Sequence, residues 1–71
     1  MNDLQSNILS AVVTHAHDNY EKGWDVVIET MTEDEIALLT ARCWTAKGAI
    51  AKVEREIVIP WREQKLNAKN A

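Results

Sequence analysis

The first apolar positions of the chain, Leu4, Ile8, Val12, Ala16 and Tyr20, recur every four residues, and Leu9 and Val13 widen the stripe. Ser6, Asn7, Ser10, Thr14, His17 and Asp18 fall mostly on the other side. This is the broad apolar face of an amphipathic helix packed on a core. Asn2 or Asp3 can cap its start, because a side-chain oxygen there accepts from the unpaired amides of the first turn. Gly23 can end it, being free to take the left-handed conformation. The spacing predicts a first helix over about 3–21.

The segment from Trp24 to Met31 fits two patterns. Trp24, Val26 and Ile28 alternate as a strand would, in a β-branched run. Trp24, Val27, Ile28 and Met31 also fit helical spacing. A lone strand would lack a partner in a chain with so few other strand signals, so a short helix starting near Asp25 is expected. Thr32-Glu33-Asp34-Glu35 is a capping box, with Met31 and Ile36 at staple positions. The three acids suit the positive end of a helix dipole, and the pattern predicts a helix over 33–42 with Ile36, Leu39 and Cys43 inward. The chain should turn at Cys43-Trp44-Thr45, and Thr45 should cap the next helix. That helix carries the stripe Ala46, Ala49, Ile50, Val53, Ile57 and Trp61. Pro60 lacks an amide and disfavours helical geometry at Ile59, which predicts a kink or break there and then a polar tail that frays from about 62. The expected fold is all-α: a compact bundle of three or four helices in one small domain, 1–71, containing a helix–turn–helix-like pair.

Composition narrows the function classes. Hydrophobic residues make up 46% and charged residues 27% of the 71, a globular rather than a disordered profile. Two glycines and one proline leave few tight turns for an all-β fold. The single cysteine excludes an internal disulfide. A chain of this length buries only about 60% of its unfolded surface and gains from a partner. No apolar run approaches the ~20 residues of a membrane span. No signal-peptide pattern opens the sequence, so a cytoplasmic protein without membrane contact is expected.

Charge is divided unevenly. Residues 1–40 carry eight acids against Lys22 alone, a net of −7; residues 41–71 carry seven bases against Glu54, Glu56 and Glu63, a net of +4. Opposite ends of this kind can pair within a monomer, pair between subunits, or offer the basic end to an acidic partner.

Few residues carry chemistry. His15 and His17 are two apart and point to nearly opposite sides of a helix, so they cannot hold one metal together. His15 shares a face with Asp18 and Asn19, but nothing completes a zinc site. Cys43 sits in an apolar context with no histidine placed as its base, and reads as a packing residue. Gly23 and Gly48 are isolated, so no phosphate loop is present. The expectation is a non-enzymatic protein with no catalytic residues, no metal, no cofactor and no small-molecule substrate.

Two interaction readings remain. Thr32-x-x-Glu35-Ile36-Ala37, a turn, then Thr45 and Ala49-Ile50-x-x-Val53 resemble the hydrophobic skeleton of a helix–turn–helix. Lys47 and Lys52 would then face a DNA groove, with Arg42 and Arg55 near phosphates. The turn is longer than usual and lacks the common glycine, and three carboxylates at the first helix would repel a phosphate backbone. If the helix ran on through Pro60, Arg55, Arg62 and Lys69 would recur every seven residues with Lys65 alongside, a pattern shared by a phosphate-binding stripe and a solvated face. The second reading starts from apolar residues left outside the core. Val58, Ile59 and Leu66 are expected to point away from the main stripe, Trp61 lies at its margin, and Trp44 lies in a turn. Exposed aliphatics beside tryptophan and arginine compose an interface core. Trp44, Ile59, Trp61, Arg62 and Leu66 are therefore the candidate contacts for a protein partner or a second copy of the chain.

The segment Asn19-Tyr20-Glu21-Lys22-Gly23-Trp24-Asp25-Val26-Val27-Ile28-Glu29, followed by Met31-Thr32-Glu33-Asp34-Glu35-Ile36, resembles small uncharacterised proteins encoded in phage genomes. The resemblance rests mainly on Tyr-x-x-Gly-Trp-Asp-x-Val-x-Glu and extends through Thr45 to Ala49-Ile50. It brings no assigned activity or functional residue. It implies a protein that works in a bacterial host's cytoplasm by binding a host protein.

Overall fold

A computed structural model describes residues 2–70, with side-chain surroundings for residues 2–67. Five α-helices follow one another: α1 (Asp3–Asp18), α2 (Asp25–Thr30), α3 (Glu33–Leu39), α4 (Ala46–Val53) and α5 (Ile59–Asn70). A 3₁₀ turn, Tyr20–Lys22, precedes α2, and a π turn, Glu54–Val58, joins α4 to α5. No strand occurs among the described residues. The fold is all-α, and the Trp24–Met31 segment is helical.

The helix starts follow their capping chemistry. The Asn2 side chain accepts from the Gln5 amide at 2.8 Å, and the Thr45 hydroxyl accepts from the Gly48 amide at 3.0 Å. The capping box of α3 is complete: Thr32 Oγ1 accepts from the Glu35 amide, and Glu35 Oε1 accepts from the Thr32 amide. Two helix ends fall earlier than the apolar pattern predicts. α1 stops at Asp18, where the Asn19 side chain adds a second N–H to the His15 carbonyl beside the last helical backbone bond. α3 stops at Leu39 rather than 42. Thr40, itself buried, donates its hydroxyl to the Ile36 carbonyl at 2.8 Å, and bonds from Ala41 to Leu38 and from Cys43 to Thr40 tighten the chain into 3₁₀-like turns.

α1 is the centre of the packing, with α2, α3 and α4 laid against it. Ile8, Val12 and Ala16 of α1 are buried among Trp24 at the start of α2, Val26 and Val27 within it, Ile36 of α3, and Ala49 and Val53 of α4. The two ends of the α1 stripe, Leu4 and Tyr20, are exposed, so the core is shorter than the periodicity.

The interruption expected at Pro60 lies one turn upstream. The Ile59 N–H donates to the Glu54 carbonyl, five residues back, and helical geometry then continues through Pro60. A π turn before a proline widens the helix where the ring would otherwise press on the preceding turn. The inserted residue also shifts the register. Val58 was expected to face outward on a regular helix; five residues after Val53, it returns to the core face and is fully buried. Ile59 and Leu66 stay outside. The tail expected to fray from about 62 is instead α5; Ala71 lies outside the described residues. The α4–α5 rod gives the molecule its length, 45 × 19 × 19 Å.

Candidate interaction surfaces

α5 crosses the start of α2 through a contact that Gly23 permits. Gly23 has φ +100°, and a Cβ there would lie 2.7 Å from Arg62 Nε and 3.3 Å from Val58 Cγ1. Arg62 uses that space to reach the Lys22 carbonyl, with Nε donating at 2.8 Å and Nη2 donating to the same oxygen. One turn on, Lys65 Nζ lies 3.4 Å from Asp25 Oδ2, the single ion pair among the described residues. It joins the acidic and basic halves of the chain. Lys65 Nζ also sits 5.2 Å from the centre of the Trp61 ring, within cation–π range.

Below these contacts lies an open groove of about 1150 Å³, lined among others by Tyr20, Gly23, Arg62 and Leu66. It is a trough beneath the overhanging α5, broader than an enclosed small-molecule pocket. Tyr20 on its wall donates its hydroxyl to Glu29 Oε1. This bond to a carboxylate, with smaller effects of desolvation and of the Glu29 and Asp25 charges, raises the Tyr20 pKa above that of free tyrosine.

The opposite end of the molecule is built from the turn between α3 and α4. Gln5, near the start of α1, donates from Nε2 to the Ala41 carbonyl at 3.5 Å, which brings the two segments together. Trp44 is 82% exposed there and Leu38 is 81% exposed. Leu38 is not among the five candidate contacts, although its place two residues from the inward Ile36 puts it on the other side of α3.

The five candidate contacts therefore do not form one patch. Trp44 stands at the α4 end of the rod, and Leu66, 61% exposed, lies roughly 30 Å away at 1.5 Å per residue. Ile59 is exposed on the outer side of α5. Trp61 is half-buried against the core, and its buried indole N–H has no hydrogen-bond partner among the described residues. Arg62 is committed to the Lys22 carbonyl.

The basic residues of the DNA reading are scattered as well. Arg42, Lys47 and Arg55 are exposed, whereas Lys52 is half-buried. α3 and α4 each pack on α1 more than on each other. In the stripe expected along α5, Arg62 and Lys65 turn toward the body; the Lys69 side chain lies outside the described residues.

The residues with chemical potential have structural surroundings. His15 meets the Trp24 ring edge-on, with centroids 4.6 Å apart. Cys43 packs against the core as a free thiol. Among the described residues no three His, Cys, Asp or Glu side chains gather into a metal-binding group, and no helix is long and apolar enough to cross a membrane. Comparison with protein-family models, with curated proteins and with solved structures finds no match.

Proposed function

We propose that this chain is a small non-enzymatic interaction module of the cytoplasm, which self-associates and binds a protein partner. The observation that carries the reading is the exposure of Trp44 and Leu38 on either side of a turn that local hydrogen bonds already hold. Neither side chain belongs to the core, so their apolar area is free for another protein. An exposed tryptophan, with an exposed leucine and Arg42 close to it in sequence, has the composition of an interaction hot spot. The resemblance to small phage-encoded proteins favours a host protein as the partner. The absorption of His15, Cys43 and Glu35 into packing and capping supports a non-catalytic role.

A photo-reactive amino acid at position 44 tests the reading, with Ser10 on the polar side of α1 as the control position. Irradiation in bacterial cells should give discrete protein adducts from position 44 and none from position 10. Absent adducts, or the same adducts from both positions, would remove the proposal.

A further inference from the structure

The outer face of the α4–α5 rod carries a symmetric arrangement of charge. Ile59 is 38% exposed, Arg55 lies four residues before it and Glu63 four residues after it, and both charged residues are exposed. In α5, positions four and seven apart fall within about 40° of one another, so Ile59, Glu63 and Leu66 share a face. Arg55 lies just under one π turn upstream, on the same side.

Neither charge has an opposite partner at hand. Three and four residues from Arg55 stand Ala51, Lys52, Val58 and Ile59; around Glu63 the same positions hold Ile59, Pro60, Leu66 and Asn67. Those are the spacings at which helical side chains meet. Neither Arg55 nor Glu63 takes part in an ion pair among the described residues.

We propose that the Arg55–Ile59–Glu63 face of the α4–α5 rod is a homodimer surface on which a second copy of the chain lies antiparallel, with the two-fold axis through Ile59. The inference rests on the reading of the chain as an interaction module and names the occupant of one of its surfaces. An isologous interface must be self-complementary, each contact occurring twice with the roles exchanged. Antiparallel pairing about Ile59 meets that condition. Ile59 packs on the partner's Ile59, and Arg55 of each copy meets the partner's Glu63. A parallel arrangement would set Arg55 against Arg55 and Glu63 against Glu63. The surface is a single helix face, at the small end of specific interfaces, so association is weak and depends on concentration and salt.

Sedimentation of the full chain over a concentration series at low salt tests the pairing, with circular dichroism confirming that each variant stays helical. Wild type should form a dimer that salt weakens. Arg55→Glu and Glu63→Arg should each weaken it by about tenfold, since each replaces two attractive pairs with two repulsive ones. An equimolar mixture of the two variants should associate as wild type does, because both pairs are again opposite in sign. The double variant Arg55→Glu/Glu63→Arg should also recover. A chain that stays monomeric throughout, single variants that associate like wild type, or a mixture that fails to recover would each overturn the pairing. A monomer overturns the pairing and the self-association in the proposed function but leaves adducts from position 44 as they are, whereas loss of those adducts with dimerisation intact removes the partner half of that function alone.

Discussion

The two ends of this molecule solve the same problem, turning one helix into the next, in opposite ways. At Gly23 the turn is held from a distance. A residue forty positions later, Arg62, reaches its last carbonyl, and Trp24 beyond it is the largest side chain in the core. At Thr40–Thr45 the turn is held mainly from within, by the Thr40 hydroxyl, two short-range amide bonds and the Thr45 cap, with a long 3.5 Å bond from Gln5 to the Ala41 carbonyl as its reach from a distance. Trp24, Val58 and Arg62 at the first end are consumed by the fold. Trp44 and Leu38 at the second contribute little to it, which leaves them free to act on another molecule.

The sharpest break in that contrast should come from Trp24. Trp24→Ala removes a fully buried aromatic, a loss of about 3–5 kcal/mol. Domains of this size have about 4–10 kcal/mol of total stability. The variant should be largely unfolded or on the edge of it, seen as loss of helical dichroism and of a cooperative thermal transition. Retention of the wild-type melting temperature would mean that the Gly23 end is not where the fold is anchored.

Gly23→Ala should follow, at about 1–3 kcal/mol, the range for a residue forced into a disfavoured backbone region. Two causes combine: the positive φ and the approach of Arg62 Nε to within 2.7 Å of the new Cβ. Gly23→Asn separates them, because asparagine tolerates the left-handed region but still carries a Cβ. Equal losses in chemical denaturation would assign the effect to the crowding; a milder loss for asparagine would assign it to the backbone.

The contrast also explains how far the sequence could be read. Caps depend on residues three positions apart, so those at Thr32 and Thr45 were legible, and the first was narrowed to Asn2 or Asp3. So was the helix at Asp25–Thr30, because a strand would have had no partner. The π turn was not legible, since regular periodicity assigns Val58 to the surface and only the inserted residue carries it into the core. Arg62 read as an interface arginine because its partner, the Lys22 carbonyl, is a backbone atom forty residues away. Of the candidate contacts, Trp44, Ile59 and Leu66 are exposed, as sequence placed them, but the distance between the two ends of the rod depends on the helix running through Pro60.

At the other end, Trp44→Ser and Leu38→Ser should change stability by no more than about 0.5 kcal/mol, the usual range for exposed positions away from caps and packing. Denaturation midpoints should therefore nearly overlay the wild type, while adducts from a photo-reactive group placed at the neighbouring position 41 should be lost. A large destabilisation would show that the two ends are built alike after all.

The smallest effect is the most local probe of the end held by Arg62. Tyr20 is the one tyrosine in the chain, so phenolate absorbance reports it alone. Its hydroxyl donates to Glu29, and that bond raises its pKa above the free value. Linkage fixes the sign: a group whose folded pKa is raised contributes stability below its unfolded pKa of about 10, and that contribution disappears as pH climbs through the folded value. Wild type should thus ionise at higher pH than free tyrosine, and Glu29→Gln should lower the midpoint by removing the carboxylate. The 3₁₀ turn carrying Tyr20 would then be joined to α2 by a side-chain bond and to α5 by the Arg62 contact. An unchanged midpoint would show that the tyrosine stands free in solution and that Arg62 alone secures the turn.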